Sequence, residues 1–167
     1  MNAQALDETK NNYIMCIVYI ADRYGLAVAD VSTGDYFVTE LDSGRKLLDE
    51  IHKFSPSEII CNESFYMSGL DLDDLRHRLG MMIYSIDTHF FDDEMCARIL
   101  KEHFHAASLE GMGLGDYNCG VIAAGALLKY LYETQKTSLS HITHITGYAT
   151  GRYMLLDSSS RRNLEFV

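Results

Sequence analysis

The chain has 167 residues, 47% apolar and 23% charged, with 1 proline and 12 glycines. At about 150 residues per domain this is one folded domain with a short appendage, long enough to bury about two thirds of its unfolded surface without a covalent staple; fibrous and low-complexity disordered chains are excluded. The formal charge of −10, from 14 Lys and Arg against 24 Asp and Glu, argues against direct duplex binding as the main task, which needs a basic face to neutralise phosphates.

A protein partner suits this charge better. Residues 71–94 alone hold seven carboxylates against two arginines. No apolar run approaches the ~18 residues of a membrane span, and the start, Met1 to Glu8, lacks the basic and apolar regions of a signal peptide. The expected setting is cytoplasmic. Cys16, Cys61, Cys96 and Cys119 stand 45, 35 and 23 residues apart with no Cys-x-x-Cys pair, so buried free thiols are expected.

Tyr13 to Ile20 is a continuous apolar, β-prone run, the pattern of a strand covered on both faces. Asp22 to Gly25 reads as a turn, Leu26 to Val31 as a second strand, Ser32 to Asp35 as a second turn and Tyr36 to Leu41 as a third strand. Connections this short make an antiparallel meander. The period then becomes helical, with Ser43 as N-cap, a stripe of Leu47, Leu48, Ile51 and Phe54, and Pro56 at the exit. Glu58 to Cys61 is a short buried strand. A short helix begins at Asn62, and another runs from Asp71 to Leu79 and stops at Gly80. Met81 to Ile86 is a fifth strand, and Asp92 to Phe104 is helical with acids in its first turn. After Gly111, Gly113 and Gly115, a strong helix runs from Asp116 to near Lys136.

Three antiparallel strands followed by α-β-α-β-α make an α/β layered sheet, in the order of the ribonuclease H-like folds. Residues 137–167 differ. A Ser/Thr/His-rich stretch leads to the strand-like Tyr153 to Asp157, a cap cluster from Ser158 and the first turns of a C-terminal helix, so this part is read as a truncated extension whose remainder lies downstream.

Candidate chemistry is sparse. A two-metal nuclease needs several acids converging on paired ions, and the first strand carries none; only Asp30 and Glu63 remain to approach one another. Among the histidines, His103 and His105 point two ways on a helix, His141 and His144 lack a helical stripe, and Cys96 with His103 gives two ligands at most, so no metal site is expected. The spacing of Gly111, Gly113 and Gly115 lacks the Gly-Lys-Ser/Thr ending of a phosphate loop, and a hinge is the better account. Phe65 and Tyr66 read as core. Phe90 and Phe91, beside Asp92, Asp93 and Glu94, combine adjacent aromatics with a polar rim, the composition of a docking patch or of a core edge.

Leu6-Asp7-Glu8 leading to Asn12-Tyr13-Ile14, then Gly25 through Gly34, resembles the opening of the connector domain (domain II) of bacterial MutS mismatch-repair proteins. Ala123 to Leu131 resembles that family's linking helix. Tyr153 to Asp157 with Arg161-Arg162-Asn163-Leu164-Glu165 is similar to the start of its lever/core domain, with Ser160 where the family usually shows Thr. The resemblance implies a connector over 1–136, with the linking helix, and a truncated start of the lever/core domain over 137–167. It implies a fragment that is not an enzyme and that relays mismatch and nucleotide state between the other domains of MutS and offers MutL a docking surface. Mismatched duplex DNA would be met only through the full-length protein. No cofactor is expected in the fragment, since ATP and Mg²⁺ belong to the full-length family member. The family's contact region places docking at Phe90, Phe91, Asp92, Asp93, Glu94 and Met95. A ribonuclease H-like metal-dependent nuclease or resolvase is the alternative.

Overall fold

The computed structural model describes residues 12–150. The strand-like Tyr153 to Asp157 and the helix start after Ser158 lie outside the described residues. Strands β1 (Tyr13–Ile20), β2 (Arg23–Asp30) and β3 (Asp35–Leu41) form the antiparallel meander. Helix α1 (Gly44–Phe54) leads to β4 (Glu58–Cys61), the short helices α2 (Glu63–Tyr66) and α3 (Asp73–His77) to β5 (Met82–Ser85), and a 3₁₀ turn (Thr88–Phe91) to α4 (Asp93–His103). Helix α5 (Cys119–Thr134) and a two-residue strand β6 (Thr146–Gly147) complete the order.

The sheet runs β5-β4-β1-β2-β3-β6, with β4 parallel to β1, β5 parallel to β4 and β6 parallel to β3. This is the ribonuclease H-like layered sheet that the order of elements predicts. Alternation along each strand splits the core in two. Met15, Ile17, Leu26, Val28 and Ile59 face α1, α2 and α3 with Leu47, Ile51, Phe65 and Leu75. Cys16, Val18, Ala27, Ala29 and Ile60 face α4 and α5 with Leu100, Leu127 and Leu128. The unbroken apolar run of β1 follows from this, since both its faces are buried.

The side chains toward α5 are small for a reason. A β-carbon on Gly25 would stand 2.2 Å from the Cys119 carbonyl oxygen, and one on Gly125 would stand 2.4 Å from Cys96 Cβ. Helix α5 lies close on the sheet and on α4 only because these positions are bare. Gly25 therefore serves strand–helix packing rather than the turn expected of it. The turn is Ala21-Asp22, both at positive φ (53° and 64°), with Ile20 opposite Arg23; this is a two-residue loop of the kind that matches strand twist.

Ser43 caps α1 as expected, its side chain accepting from Lys46 N, and left-handed Ser55 ends it before Pro56. Helix α5 begins at Cys119, three residues later than Asp116. The sequence pattern missed β6. Leu139 and Ile142 are buried in the α4–α5 core and β6 extends the sheet, so core and sheet continue past the division expected at residue 136. Among the described residues no helix is long and apolar enough to cross a membrane.

Candidate docking surface

The corner between β5 and α4 is built by two aspartates. Asp87 accepts a hydrogen bond from His89 N at 3.0 Å, which starts the 3₁₀ turn; that bond and the His89 side chain hold its carboxyl below the usual range. Asp92 accepts from Met95 N at 2.9 Å and so caps α4, whose first turn carries Asp93 and Glu94 where they complement the helix dipole. Both caps are local and sequence-encoded, so the corner is a fixed shape.

Phe90 is the deepest residue of the patch. It is 8% exposed, edge-on to Tyr130 with ring centroids 6.4 Å apart, and Lys129 Nζ lies 5.7 Å from its ring centre. Its carbonyl accepts from Cys96 Sγ. An aromatic this deep supports the corner from below and offers a partner little area. Phe91 and Met95 are half-buried against the same core, while Asp92, Asp93 and Glu94 are exposed. Along residues 91–95, then, two half-buried apolar side chains flank three exposed carboxylates.

The other candidates do not converge. Asp30 lies opposite Tyr13, at the start of β1, and its carboxylate takes Asn12 N, Ser32 N and Ser32 Oγ. Glu63 follows β4, level with the far end of β1, where Asn62 exchanges hydrogen bonds with Tyr19. At 3.3 Å per residue the two acids are separated by about 15–20 Å along the strand direction. Asp30 and Glu63 are too far apart to share paired ions. His103 is taken up structurally, with its ring between Tyr132 OH and the Ile142 carbonyl, and His141 meets the Val31 carbonyl. Among the described residues no group of three His, Cys, Asp or Glu could hold a metal ion. The four cysteines are free and buried. Burial pushes the Cys61 and Cys96 thiols up to about 12 and Cys119 to about 11, which keeps them protonated and unreactive at neutral pH. Phe65 is core as expected, but its neighbour Tyr66 is 42% exposed.

Two arrangements had no signal along the chain. Glu40 of β3 reaches the start of α5 and accepts from Asn118 N at 2.6 Å and Gly120 N at 2.8 Å. Tyr148, just past β6, crosses to α1 and donates to Glu50. Each joins residues about 80 or more positions apart.

A family profile, MutS domain II, matches residues 12–143. The chain belongs to that family. The chain is 54% identical over its whole length to the DNA mismatch repair protein MutS of Lachnoclostridium phytofermentans, and 42% identical over 97% of its length to that of Ruminiclostridium cellulolyticum. It spans 18% and 19% of those relatives. Among solved structures it is similar to T. thermophilus RuvC in complex with a Holliday junction substrate, with a TM-score of 0.47 at 11% identity, covering 74% of this chain and 96% of that one.

Proposed function

We propose that this domain II is a non-catalytic, cytoplasmic connector in mismatch repair. It relays mismatch and nucleotide state between neighbouring MutS domains and presents MutL with the corner formed by Phe91, Asp92, Asp93, Glu94 and Met95. ATP, Mg²⁺ and mismatched duplex are ligands of the full-length family member and not of these residues. The observation that carries the docking part is the corner itself: two aspartate caps begin its 3₁₀ turn and α4, and exposed Asp92, Asp93 and Glu94 stand along the chain between half-buried Phe91 and Met95. Apolar side chains beside polar ones are the usual anatomy of an interface. The nuclease alternative is not favoured, because β1 carries no carboxylate and Asp30 and Glu63 stand at opposite ends of the sheet.

Titration calorimetry of the chain against the MutL amino-terminal domain tests this. Asp92 is left in place, because replacing a cap would loosen α4 whatever its role. The parent chain is expected to bind saturably, and the pair Phe91→Ala with Asp93→Lys to bind about tenfold more weakly, a loss of about 1.4 kcal/mol. Equal binding by both would move docking elsewhere. No binding by the parent, together with salt-steep binding to duplex DNA, would overturn the connector reading.

A further inference from the structure

Between residues 139 and 148 the chain crosses from one side of the sheet to the other. Leu139 and Ile142 are buried in the α4–α5 core, and the Ile142 carbonyl holds the His103 ring at 2.8 Å. Thr143 and His144 are exposed. Thr146 and Gly147 then pair with Phe37 and Val38. At Tyr148 the chain turns its side chain to the α1 layer, where the ring stands 6.4 Å from Phe37 and 6.2 Å from Phe54, with Lys53 Nζ 4.8 Å from its centre.

A two-residue strand holds little on its own, and Tyr148 supplies what it lacks. Its N–H donates to the Val38 carbonyl at 3.0 Å. Its carbonyl accepts from Thr39 Oγ1 at 2.6 Å and Tyr117 OH at 3.4 Å, and its hydroxyl donates to Glu50 Oε1 at 2.8 Å. Every polar atom of this one residue is engaged, by four partner residues on β3, α1 and the loop before α5. Upstream of β6, Ile145 packs partly buried against the α4–α5 core, and Ile142 is the next residue buried in it.

We propose that Tyr148 is a latch that holds residues 143–148 against domain II. Closed, it keeps β6 paired to the edge of β3. Open, it gives up the six residues 143–148, about 20 Å of extended chain, while Ile142 and the sheet inward of β6 stay in place. Glu50 makes the open state accessible, because its Oε1 also meets Lys53 Nζ at 3.2 Å. Loss of the tyrosine therefore leaves the carboxylate with a cation, not stranded in the core. The Val38 carbonyl and the Thr39 hydroxyl, at the sheet edge, pass to water. The latch is a property of the fold and does not rest on the docking reading.

Amide hydrogen exchange on the whole 167-residue chain tests it. Tyr148→Phe removes only the bond to Glu50 and is expected to speed exchange of the residue 148 amide about tenfold. Tyr148→Ala should abolish its protection. In both variants the amides of β1, β2 and α5 should keep their parent protection, the mark of a local opening. Unchanged protection at residue 148 in both variants would overturn the proposal. So would a matching loss across β1 and α5, because Tyr148 would then be a core residue with no separate open state. Tyr148→Phe keeps the test decisive if the alanine variant does not fold.

Discussion

Ala21 occupies a backbone conformation, φ 53°, that a β-carbon disfavours. Its neighbour Asp22, at φ 64°, is better suited, and its carboxylate also accepts from Tyr19 OH at 3.1 Å. Left-handed backbone costs an alanine about 1–2 kcal/mol, and asparagine tolerates it with less penalty and no added freedom in the unfolded chain. Ala21→Asn is therefore expected to raise stability by about 0.5–1 kcal/mol, read as a higher urea midpoint with an unchanged slope; a midpoint at or below the parent's would refute the turn assignment. This residue also shows why the turn was misplaced in sequence. Asp22 to Gly25 contains a glycine, and glycine signals a turn. The demand on Gly25 comes instead from Cys119, whose carbonyl leaves no room for a side chain. That carbonyl is 94 residues away and no local pattern announces it. Ser43 was legible as a cap because a cap bonds to a backbone amide three residues on; Asn62 and Asp92, read as the first residues of their helices, prove to be caps of the same kind.

Elements whose ends are set locally were likewise readable. Strands β1 and β4 carry their boundaries in their own apolar runs, and α1 lies between its cap and Pro56. Helix α5 is different. Its Asn118 makes no side-chain cap bond and its first turn has no acidic residue. Glu40 of β3 supplies both the acceptor and the charge, so the helix starts where the sheet allows, three residues after Asp116. Removing that carboxylate leaves two amides and the helix dipole uncompensated, so Glu40→Ala is expected to cost about 1–2 kcal/mol in denaturant unfolding. Glu40→Gln, which keeps an acceptor without the charge, should fall between. Arg23, at 3.6 Å and half exposed, adds little. A Glu40→Ala cost within about 0.5 kcal/mol, as for a plain surface substitution, would show that α5 does not depend on this cap.

At the scale of the molecule, the meander and crossovers were visible because their connections are short and their periods clean, whereas the closing segment was not. Residues 137–147 read as polar and irregular, since only Leu139, Ile142 and Ile145 are apolar among them and they follow no helical or strand period. Yet Leu139 is 4% exposed and Ile142 1%, and both plug the α4–α5 core. Losing either contact set resembles a large-to-small core substitution, about 2–5 kcal/mol each, against a total stability of about 5–15 kcal/mol for a domain. Ending the chain at Lys136 would also strip His103 of its Ile142 partner and expose the edge of β3, an aggregation hazard. A chain of residues 1–136 is therefore expected to lose at least about 4 kcal/mol relative to one of residues 1–150, which keeps β6 and Tyr148, or to aggregate. Equal urea midpoints for the two would mean that residues 137–150 rest on the connector without belonging to its cooperative fold, and that the physical boundary of domain II does fall at residue 136.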